Sequence, residues 1–188
     1  MSDEEIKKIV EILQAGGIIL YPTDTVWGIG CDPTNEQAVQ KIYDLKRRAD
    51  SKAMLLLTDS MAKVQAYVTD VPDVVWDLVE CAEKPLTVIY PQGRNLATNL
   101  MAQDGSVGIR ITNEAFSKQL CMRFKKPIVS TSANVSGQPT PAFFDEISEE
   151  IKAGVDYIVQ ARQDDREKKQ PSSIIKFEKN GTFAIIRE

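Results

Sequence analysis

The chain has 188 residues, of which 43% are hydrophobic, 27% charged and 7% aromatic, a composition that favours one domain, with or without a small appendage, and that allows the chain to bury a core. It contains no histidine, which excludes Ser-His-Asp and Cys-His nucleophile systems, histidine general bases and nearly all zinc sites. The net charge of −4 weakly disfavours a general nucleic-acid binder.

A helix and a strand are predicted first. Ser2 precedes three carboxylates, which suit the positive end of a helix dipole, so it is predicted to cap a helix that ends at Gly16-Gly17. The apolar, β-branched run 18–21 predicts a buried strand. Residues 22–33, with the sequence PTDTVWGIGCDP, are rich in Pro, Thr and Gly and predict a strand end that opens into a loop.

The second helix is predicted to begin at a capping box of Thr34 and Gln37 and to carry Lys46 and Arg48 at its C-terminal end. Further helices are predicted at 60–68, 72–82, 114–124 and 144–152. Further strands are predicted at 53–57, 86–90, 107–111, 128–130, 157–159, 173–177 and 182–186. Helices and short apolar strands therefore interleave, which predicts a single α/β domain over residues 1–188 around an open, twisted mixed sheet.

The sequence gives no sign of a membrane or of export. No apolar run approaches the roughly 18–20 residues that cross a bilayer, and the N-terminus lacks the basic segment of a secretory signal. The three cysteines, Cys31, Cys81 and Cys121, are odd in number and far apart, which is typical of reduced thiols. We therefore expect a cytoplasmic protein.

Two segments in the first third of the chain are candidates for ligand binding. Residues 22–30 place hydroxyls and glycines where a buried strand ends, which favours a ligand site or, equally, a tight turn held by Asp and Thr side chains. Lys46, Arg48 and Lys52 are expected to gather at a helix end and the loop after it. There they would complement the helix dipole or bind a polyphosphate.

The later candidates are a hydroxyl-rich segment and two arginines. Residues 130–137, STSANVSG, would offer hydroxyls and N–H groups to phosphate or carboxylate oxygens, or would form a simple turn. Arg110 lies inside an apolar strand and requires an anionic partner, either an internal carboxylate or a ligand's carboxylate. Arg187 raises the same question more weakly. The charges of residues 162–169 nearly cancel, which indicates a solvated loop or helix end. No Walker or G-x-G-x-x-G motif is present.

Taken in order, these segments resemble the YrdC/Sua5 family of threonylcarbamoyl-AMP synthases. The shared motifs are PTDTVWGIGCD at 22–32, K-x-R at 46–48 with Lys52 after it, KPLTVIYP at 84–91, SVGIR at 106–110, STSANVSGQPT at 130–140, PSS at 171–173 and IIR at 185–187. The chain is similar to the short, YrdC-like members without the extra Sua5 domain, and its S-A-N-x-S-G motif indicates the synthases rather than the YciO branch. The resemblance implies a concave, positively charged cleft on the sheet.

The activity that the resemblance implies joins L-threonine, bicarbonate or CO2 and ATP into L-threonylcarbamoyl-AMP and releases pyrophosphate. The product serves N6-threonylcarbamoyladenosine synthesis in tRNA, so tRNA and the enzyme complex that transfers the threonylcarbamoyl group are expected partners. A carbamate oxygen would attack the α-phosphorus, which requires alignment and charge neutralisation rather than a histidine base. Mg2+ is expected to accompany ATP, and no residue is assigned as a metal ligand.

Site residues follow from the resemblance, position by position. The implied ATP contacts are Arg48, Lys52, Ser106, Ser132, Asn134, Thr140 and Arg187. The implied threonine contacts are Thr25, Arg110, Ser130 and Ser172. The implied catalytic cations, which with Mg2+ would hold the triphosphate and the departing pyrophosphate, are Lys46, Arg48 and Lys52. The chain departs from the family pattern at Ala49, where many members have proline, and at Leu57, where Sua5-type members have a threonine-contacting histidine. It also lacks the family's usual glycine-containing extension after Arg187.

Other functions remain open from the sequence. A non-catalytic protein with the same cleft would bind tRNA or double-stranded RNA with salt-dependent affinity and would not turn over ATP. Carbamoyl phosphate hydrolysis or transfer occurs in carbamoyltransferases with a related domain, but those chains are much longer. A purely structural protein, in which the candidate segments are only turns, is the third alternative.

Overall fold

The structure is a computed structural model that describes residues 2–48 and 54–188. Its helices are α1 Asp3–Gln14, α2 Glu36–Lys46, α3 Met61–Tyr67, α4 Asp73–Glu80, α5 Ala115–Phe124 and α6 Glu149–Ala153, with a 3-10 turn at Phe144–Glu146. Its strands are β1 Ile19–Tyr21, β2 Gly28–Gly30, β3 Leu55–Thr58, β4 Leu86–Tyr90, β5 Val107–Ile111, β6 Ile128–Ser132, β7 Tyr157–Ile158, β8 Ser173–Phe177 and β9 Phe183–Arg187. None of the helices in these two ranges is long and apolar enough to cross a bilayer.

The strands form one mixed sheet in the order β7-β1-β2-β6-β3-β5-β4-β8-β9. The pairs β1 with β7, β3 with β5 and β4 with β8 are parallel, and the other neighbouring strands are antiparallel. The predicted open α/β fold with a mixed sheet is therefore confirmed.

The two faces of the sheet are separated by the alternation of side chains along each strand. In β1, Leu20 belongs to the apolar cluster that also contains residues of α2, α3 and α4. Its neighbours Ile19 and Tyr21 belong to the opposite cluster, which contains residues of α1 and α5. The predicted cap of α1 is also present, because Ser2 Oγ accepts a hydrogen bond from Glu5 N at 3.2 Å. Helices thus cover both faces of the inner part of the sheet.

The prediction of a loop at 22–33 is wrong for residues 28–30, which form β2. A Cβ atom at Gly30 would lie 2.6 Å from Val129 O and 2.7 Å from a ring carbon of Tyr21. Glycine at this position therefore allows β2 to pack closely against its neighbours, whereas in the sequence it suggests a turn. Close approach of two backbones is a tertiary property that local composition does not indicate.

The predicted capping box of α2 is also wrong. Asn35 caps the helix, since its side chain accepts a hydrogen bond from Ala38 N at 3.0 Å. Thr34 is occupied elsewhere, because both its amide and its hydroxyl donate to Asp32 Oδ1, at 2.8 and 2.7 Å. The aspartate of the preceding turn thus competes for the threonine that the motif places at the cap.

The predicted helix 144–152 is divided into the 3-10 turn and α6. Ser148 lies between them and accepts a hydrogen bond from Ile151 N at 3.4 Å, so it starts a new helix instead of continuing the old one. The remaining helices and strands lie within two residues of their predicted limits where they are described. Residue 53, the predicted start of β3, lies outside the described residues.

Candidate active site

A cleft of about 760 Å³ lies on the face of the sheet that α1 and α5 cover only in part. The pairing of residues between neighbouring strands shows which side chains form the floor of the cleft. Arg110 of β5 pairs with Thr87 of β4, Thr87 with Ile174 of β8, and Ile174 with Arg187 of β9. Paired residues point to the same face, so these four side chains form one row across the outer half of the sheet.

The lining of the cleft differs in composition from the chain as a whole. Among the described residues, five that line it are basic and none is acidic, although the chain carries a net charge of −4. The basic residues are Arg48, Arg110, Lys168, Lys169 and Arg187. Nine hydroxyl-bearing residues also line it, namely Thr23, Thr25, Thr87, Ser106, Ser130, Thr131, Ser132, Thr140 and Ser172. Cations and hydroxyls without competing carboxylates suit a ligand with several anionic oxygens.

The loop between β1 and β2 presents the hydroxyl of Thr25 to the cleft. Thr23 Oγ1 donates to Val26 O at 2.6 Å and accepts from Thr25 N at 3.1 Å, an arrangement that closes a local turn. The two threonine hydroxyls lie 3.2 Å apart. The turn predicted as an alternative to a ligand site is therefore present, and the same turn lines the cleft.

Arg110 has an internal carboxylate partner, which is one of the two partners that the sequence left open. Its guanidinium Nη2 lies 2.8 Å from Asp24 Oδ1 and donates to Thr25 Oγ1 at 3.3 Å, while only 4% of the side chain is exposed. Burial raises the pKa of Asp24 above its usual range, against the opposing effect of Arg110. Arg110 Nε is buried without a hydrogen-bond partner. Asp24 Oδ1 is likewise buried without a hydrogen-bond partner, so the ion pair leaves polar atoms on both sides that are shielded from water.

The opposite wall contains Ser172 and Arg187. Thr87 and Ser172 are joined by a hydrogen bond between their hydroxyls at 2.9 Å. Arg187 Nε donates to Ser172 O at 2.8 Å, and its Nη2 donates to Ser172 Oγ at 3.3 Å. These acceptors are neutral, and among the described residues no carboxylate forms an ion pair with Arg187.

Lys46 supports the hydroxyl-rich segment from behind. Its side chain is buried, and its Nζ donates to Ser132 O and, at 2.5 Å, to Asn134 O. Burial, together with the nearby Arg48 guanidinium, lowers the pKa of Lys46 to about 8. The amine is thus occupied by backbone carbonyls, and Lys46 is not among the residues that line the cleft. This corrects the expectation that Lys46 faces a phosphate beside Arg48.

Asn134 has a similar supporting position. Its Nδ2 donates to Gln138 O at 2.7 Å and to Val135 O at 3.2 Å. It lines a neighbouring hollow that shares Thr140 with the cleft, and not the cleft itself. The structure therefore corrects its predicted place against ATP and gives it the role of holding the turn that follows β6.

Most of the predicted site residues come together. Nine of them line the cleft, namely Thr25, Arg48, Ser106, Arg110, Ser130, Ser132, Thr140, Ser172 and Arg187. Lys46 and Asn134 lie behind its wall, and Lys52 and Ala49 fall outside the described residues. The assignment of individual residues to ATP or threonine remains a prediction.

Sequence reasoning missed Asp24 as the partner of Arg110 and missed two lysines. Lys168 and Lys169 line the cleft, whereas the near cancellation of charge in 162–169 suggested only a solvated segment. The signal available in the sequence is that both lysines stand within four residues of Ser172 in the PSS motif.

Fold and cleft together define an α/β protein with a cleft lined by cations and hydroxyls on one face of a mixed sheet. A family model for Sua5, YciO and YrdC proteins, described as "Telomere recombination", matches residues 11–188. A threonylcarbamoyl-AMP synthase from Pseudoalteromonas translucida is 36% identical over 163 residues, which cover 85% of this chain and 87% of that protein. The chain belongs to the Sua5/YciO/YrdC family.

Solved structures share the fold. E. coli YciO superposes with a TM-score of 0.84 at 23% identity, covering 100% of this chain and 90% of that one. P. abyssi Sua5, in a crystal structure with L-threonine, gives a TM-score of 0.83 at 20% identity over 94% of this chain and 52% of that one. The present chain therefore spans about half the length of that Sua5 chain.

Proposed function

We propose that this chain is a threonylcarbamoyl-AMP synthase, an enzyme that joins L-threonine, bicarbonate or CO2 and ATP into L-threonylcarbamoyl-AMP and pyrophosphate. The observation that carries the proposal is the convergence of nine predicted residues, from motifs far apart in the sequence, on one cleft whose lining, within residues 2–48 and 54–188, includes no acidic residue. The relative from P. translucida, which carries this name and aligns with 85% of the chain, supports it.

The threonine end of the cleft is proposed to be the region around Arg110. Its guanidinium would bind the α-carboxylate, while Asp24 keeps the group oriented. Thr25 and Ser130 are the nearby hydroxyls, and the Ser172 hydroxyl lies against Thr87 in the next strand of the row. A short, polar amino acid suits a pocket of hydroxyls around one arginine.

The nucleotide end is proposed to include the remaining cations and hydroxyls. Arg48 and Arg187 would neutralise phosphate charge, and Ser106, Ser132 and Thr140 would donate to nucleotide oxygens. We retain Lys52 in this group, because it stands four residues after Arg48 in the motif. The cleft therefore divides into a single-carboxylate site and a polyphosphate site.

Mg2+ is proposed to arrive as MgATP. It binds carboxylate, carbonyl and phosphate oxygens, and the described lining of the cleft offers no carboxylate. Nor do the described residues contain a group of three or more His, Cys, Asp or Glu side chains that would hold a metal. The phosphate oxygens of ATP itself would thus be the ligands that bring Mg2+ into the cleft.

The proposed reaction needs few proton transfers. The threonine ammonium first loses a proton to solvent, and the free amine then adds to the carbon of CO2. The adduct releases a second proton to solvent as it becomes the carbamate anion. A carbamate oxygen then bonds to the α-phosphorus while the bond to the bridging oxygen breaks and pyrophosphate leaves. The protein's task is to align two anions and to neutralise the charge on the leaving group, and arginine and lysine side chains perform that task without histidine.

We also propose that the product is passed on in the cytoplasm to an enzyme that transfers the threonylcarbamoyl group to adenosine in tRNA. The mixed carbamic-phosphoric anhydride is a reactive acyl donor, so a consuming transferase fits its chemistry. Direct contact with that enzyme or with tRNA would appear as co-elution with the purified protein.

Pyrophosphate release by the purified protein tests the function directly. With MgATP present, release is expected only when both threonine and bicarbonate are supplied, and each omission should abolish it. ATP and threonine are also expected to raise the melting temperature together. If pyrophosphate never appears and neither ligand stabilises the fold, the synthase proposal is rejected, and salt-dependent RNA binding becomes the function to measure.

A further inference from the structure

The segment 159–172 crosses the cleft face of the sheet. It connects β7 with β8, which occupy the first and eighth places in the strand order. Seven steps between strands span roughly 34 Å at about 4.8 Å each, and a fully extended chain of this length reaches only about 50 Å. Val159 belongs to the apolar cluster of the cleft face, and Ser172 lines the cleft. We call this segment the strap.

Arg162 anchors the strap to the site. It has a left-handed backbone with φ of 62°, and its Nη1 donates to Thr23 O at 3.1 Å. The same guanidinium lies 3.2 Å from Glu114 Oε1 and binds Asp165 Oδ2 through Nε and Nη2, at 3.1 and 2.7 Å. Glu114 in turn caps α5. The anchor therefore joins the strap, the first turn of α5 and the loop that presents Thr25.

The far part of the strap brings two lysines to the cleft. Lys169 forms an ion pair with Glu167. Lys168 lines the cleft but, in the ranges 2–48 and 54–188, forms neither a hydrogen bond nor an ion pair. The other cleft cations there have interactions, as Arg110 has with Asp24 and Arg187 with Ser172. Lys168 is thus an exposed cation of the cleft lining to which the described residues give no counter-charge.

We propose that Lys168, positioned by the strap and its Arg162 anchor, binds the polyphosphate of the nucleotide and the pyrophosphate that leaves. The identity of the nucleotide rests on the proposed function. A single carboxylate is the weaker choice for Lys168, because the proposed function already assigns the threonine carboxylate to Arg110. A triphosphate carries several charges that need compensation, and an uncompensated cation on the cleft wall supplies one.

Equilibrium binding to Lys168→Ala tests this site without catalysis. Affinity for pyrophosphate and for ATP is expected to fall roughly tenfold, while affinity for AMP and threonine stays within twofold. Lys7→Ala is the matched control, because Lys7 is exposed on α1 and does not line the cleft. Unchanged pyrophosphate affinity, an equal loss for AMP, a loss confined to threonine, or a loss confined to an RNA duplex would each overturn the assignment.

The anchor is tested by a double-mutant cycle with Arg162→Ala. If Arg162 positions Lys168, ATP affinity falls in Arg162→Ala, and adding Lys168→Ala then changes it by less than twofold. Arg162→Lys should not restore the affinity, since one ammonium cannot replace the guanidinium that reaches Thr23, Glu114 and Asp165 together. Full additivity of the two losses would show that Arg162 does not act through the strap.

These measurements separate the two proposals. If wild-type protein never releases pyrophosphate but Lys168→Ala still weakens pyrophosphate binding, the anion site stands and the synthase function falls. If synthesis proceeds normally and Lys168→Ala binds pyrophosphate as the wild type does, only the inference about the strap is refuted.

Discussion

Two arginines lie in the same row of the sheet and are held in opposite ways. Arg110, on the central strand β5, is buried and faces the carboxylate of Asp24. Arg187, on the edge strand β9, is exposed, and within the described part of the chain it donates to the neutral backbone and hydroxyl oxygens of Ser172. The register that aligns them with Thr87 makes both part of one cleft floor.

The difference shows how the cleft separates stability from ligand binding. A buried cation must be compensated within the fold, so Arg110 and Asp24 depend on each other before any substrate arrives. An exposed arginine with neutral acceptors is solvated in the free protein and keeps its charge for an incoming anion. Loss of Arg110 should therefore affect folding and threonine binding together, whereas loss of Arg187 should affect ligand binding alone.

The largest effect is expected for Arg110→Ala. Removal of the guanidinium leaves a buried carboxylate without its cation, which should lower the free energy of unfolding by about 3–5 kcal/mol. The threonine KM should rise far more than the ATP KM, as measured by pyrophosphate release with each substrate varied in turn. Equal increases in the two KM values would contradict the division of the cleft into two sites.

A double variant separates the structural part of that effect from the functional part. Asp24→Ala combined with Arg110→Ala removes both charges, so denaturant unfolding should show that part of the lost stability returns. Threonine binding should not return, because the group that binds the carboxylate is still missing. If threonine affinity recovers along with stability, Arg110 acts only as a structural residue.

Lys46 is the intermediate case, because it is buried like Arg110 but is bound to neutral oxygens like Arg187. Lys46→Met would leave the carbonyls of Ser132 and Asn134 without their donor, and we expect the free energy of unfolding at pH 7 to fall by about 1–3 kcal/mol. The substitution should weaken ATP binding only indirectly, through movement of the segment that carries Ser132.

The difference in free energy of unfolding between the wild type and Lys46→Met should change with pH in a definite direction. The pKa of Lys46 falls to about 8 in the folded protein, from the ordinary 10.5. Between these values the unfolded chain binds more protons, so the wild type should gain stability relative to Lys46→Met as the pH rises from about 8 to 10.5. Unfolding in denaturant across that range measures the gain, which is at most about 3 kcal/mol. A difference that shrinks with rising pH would show that the carbonyls favour the charged amine more strongly than burial opposes it.

The comparison of Arg110 with its surroundings also shows which features the sequence predicts well and which it does not. The runs at 86–90, 107–111 and 173–177 are strands over those same residues, because burial on a sheet selects continuous apolar residues. The identity of the partner of Arg110 is not predictable in this way, since Asp24 reaches it only when the loop after β1 folds over β5. Motif resemblance finds residues that gather at the cleft, but it does not distinguish Lys46, which supports its wall, from Arg48, which lines it.

Lys168 shows the other limit of sequence reasoning. The composition of the segment around Lys168 is typical of a solvated loop. Lys168 lies on the cleft because the chain must cross from β7 to β8 over the open face of the sheet. Strand order depends on contacts between distant residues, so a charge pattern read within eight residues cannot contain that information.

The smallest effect on the fold, and the most selective effect on function, is expected for Arg187→Ala. Its acceptors on Ser172 are neutral and its strand is exposed, so the free energy of unfolding should change by no more than about 0.5 kcal/mol. The ATP KM should nevertheless rise about tenfold with little change for threonine, because the lost charge is one that no carboxylate of residues 2–48 and 54–188 compensates. Arg123→Ala is the control, since Arg123 is also an exposed arginine and pairs with Asp3 away from the cleft lining. If Arg187→Ala instead destabilises the protein as strongly as Arg110→Ala does, the row of the sheet contains two structural arginines, and the nucleotide charge must be met by Arg48 and the strap.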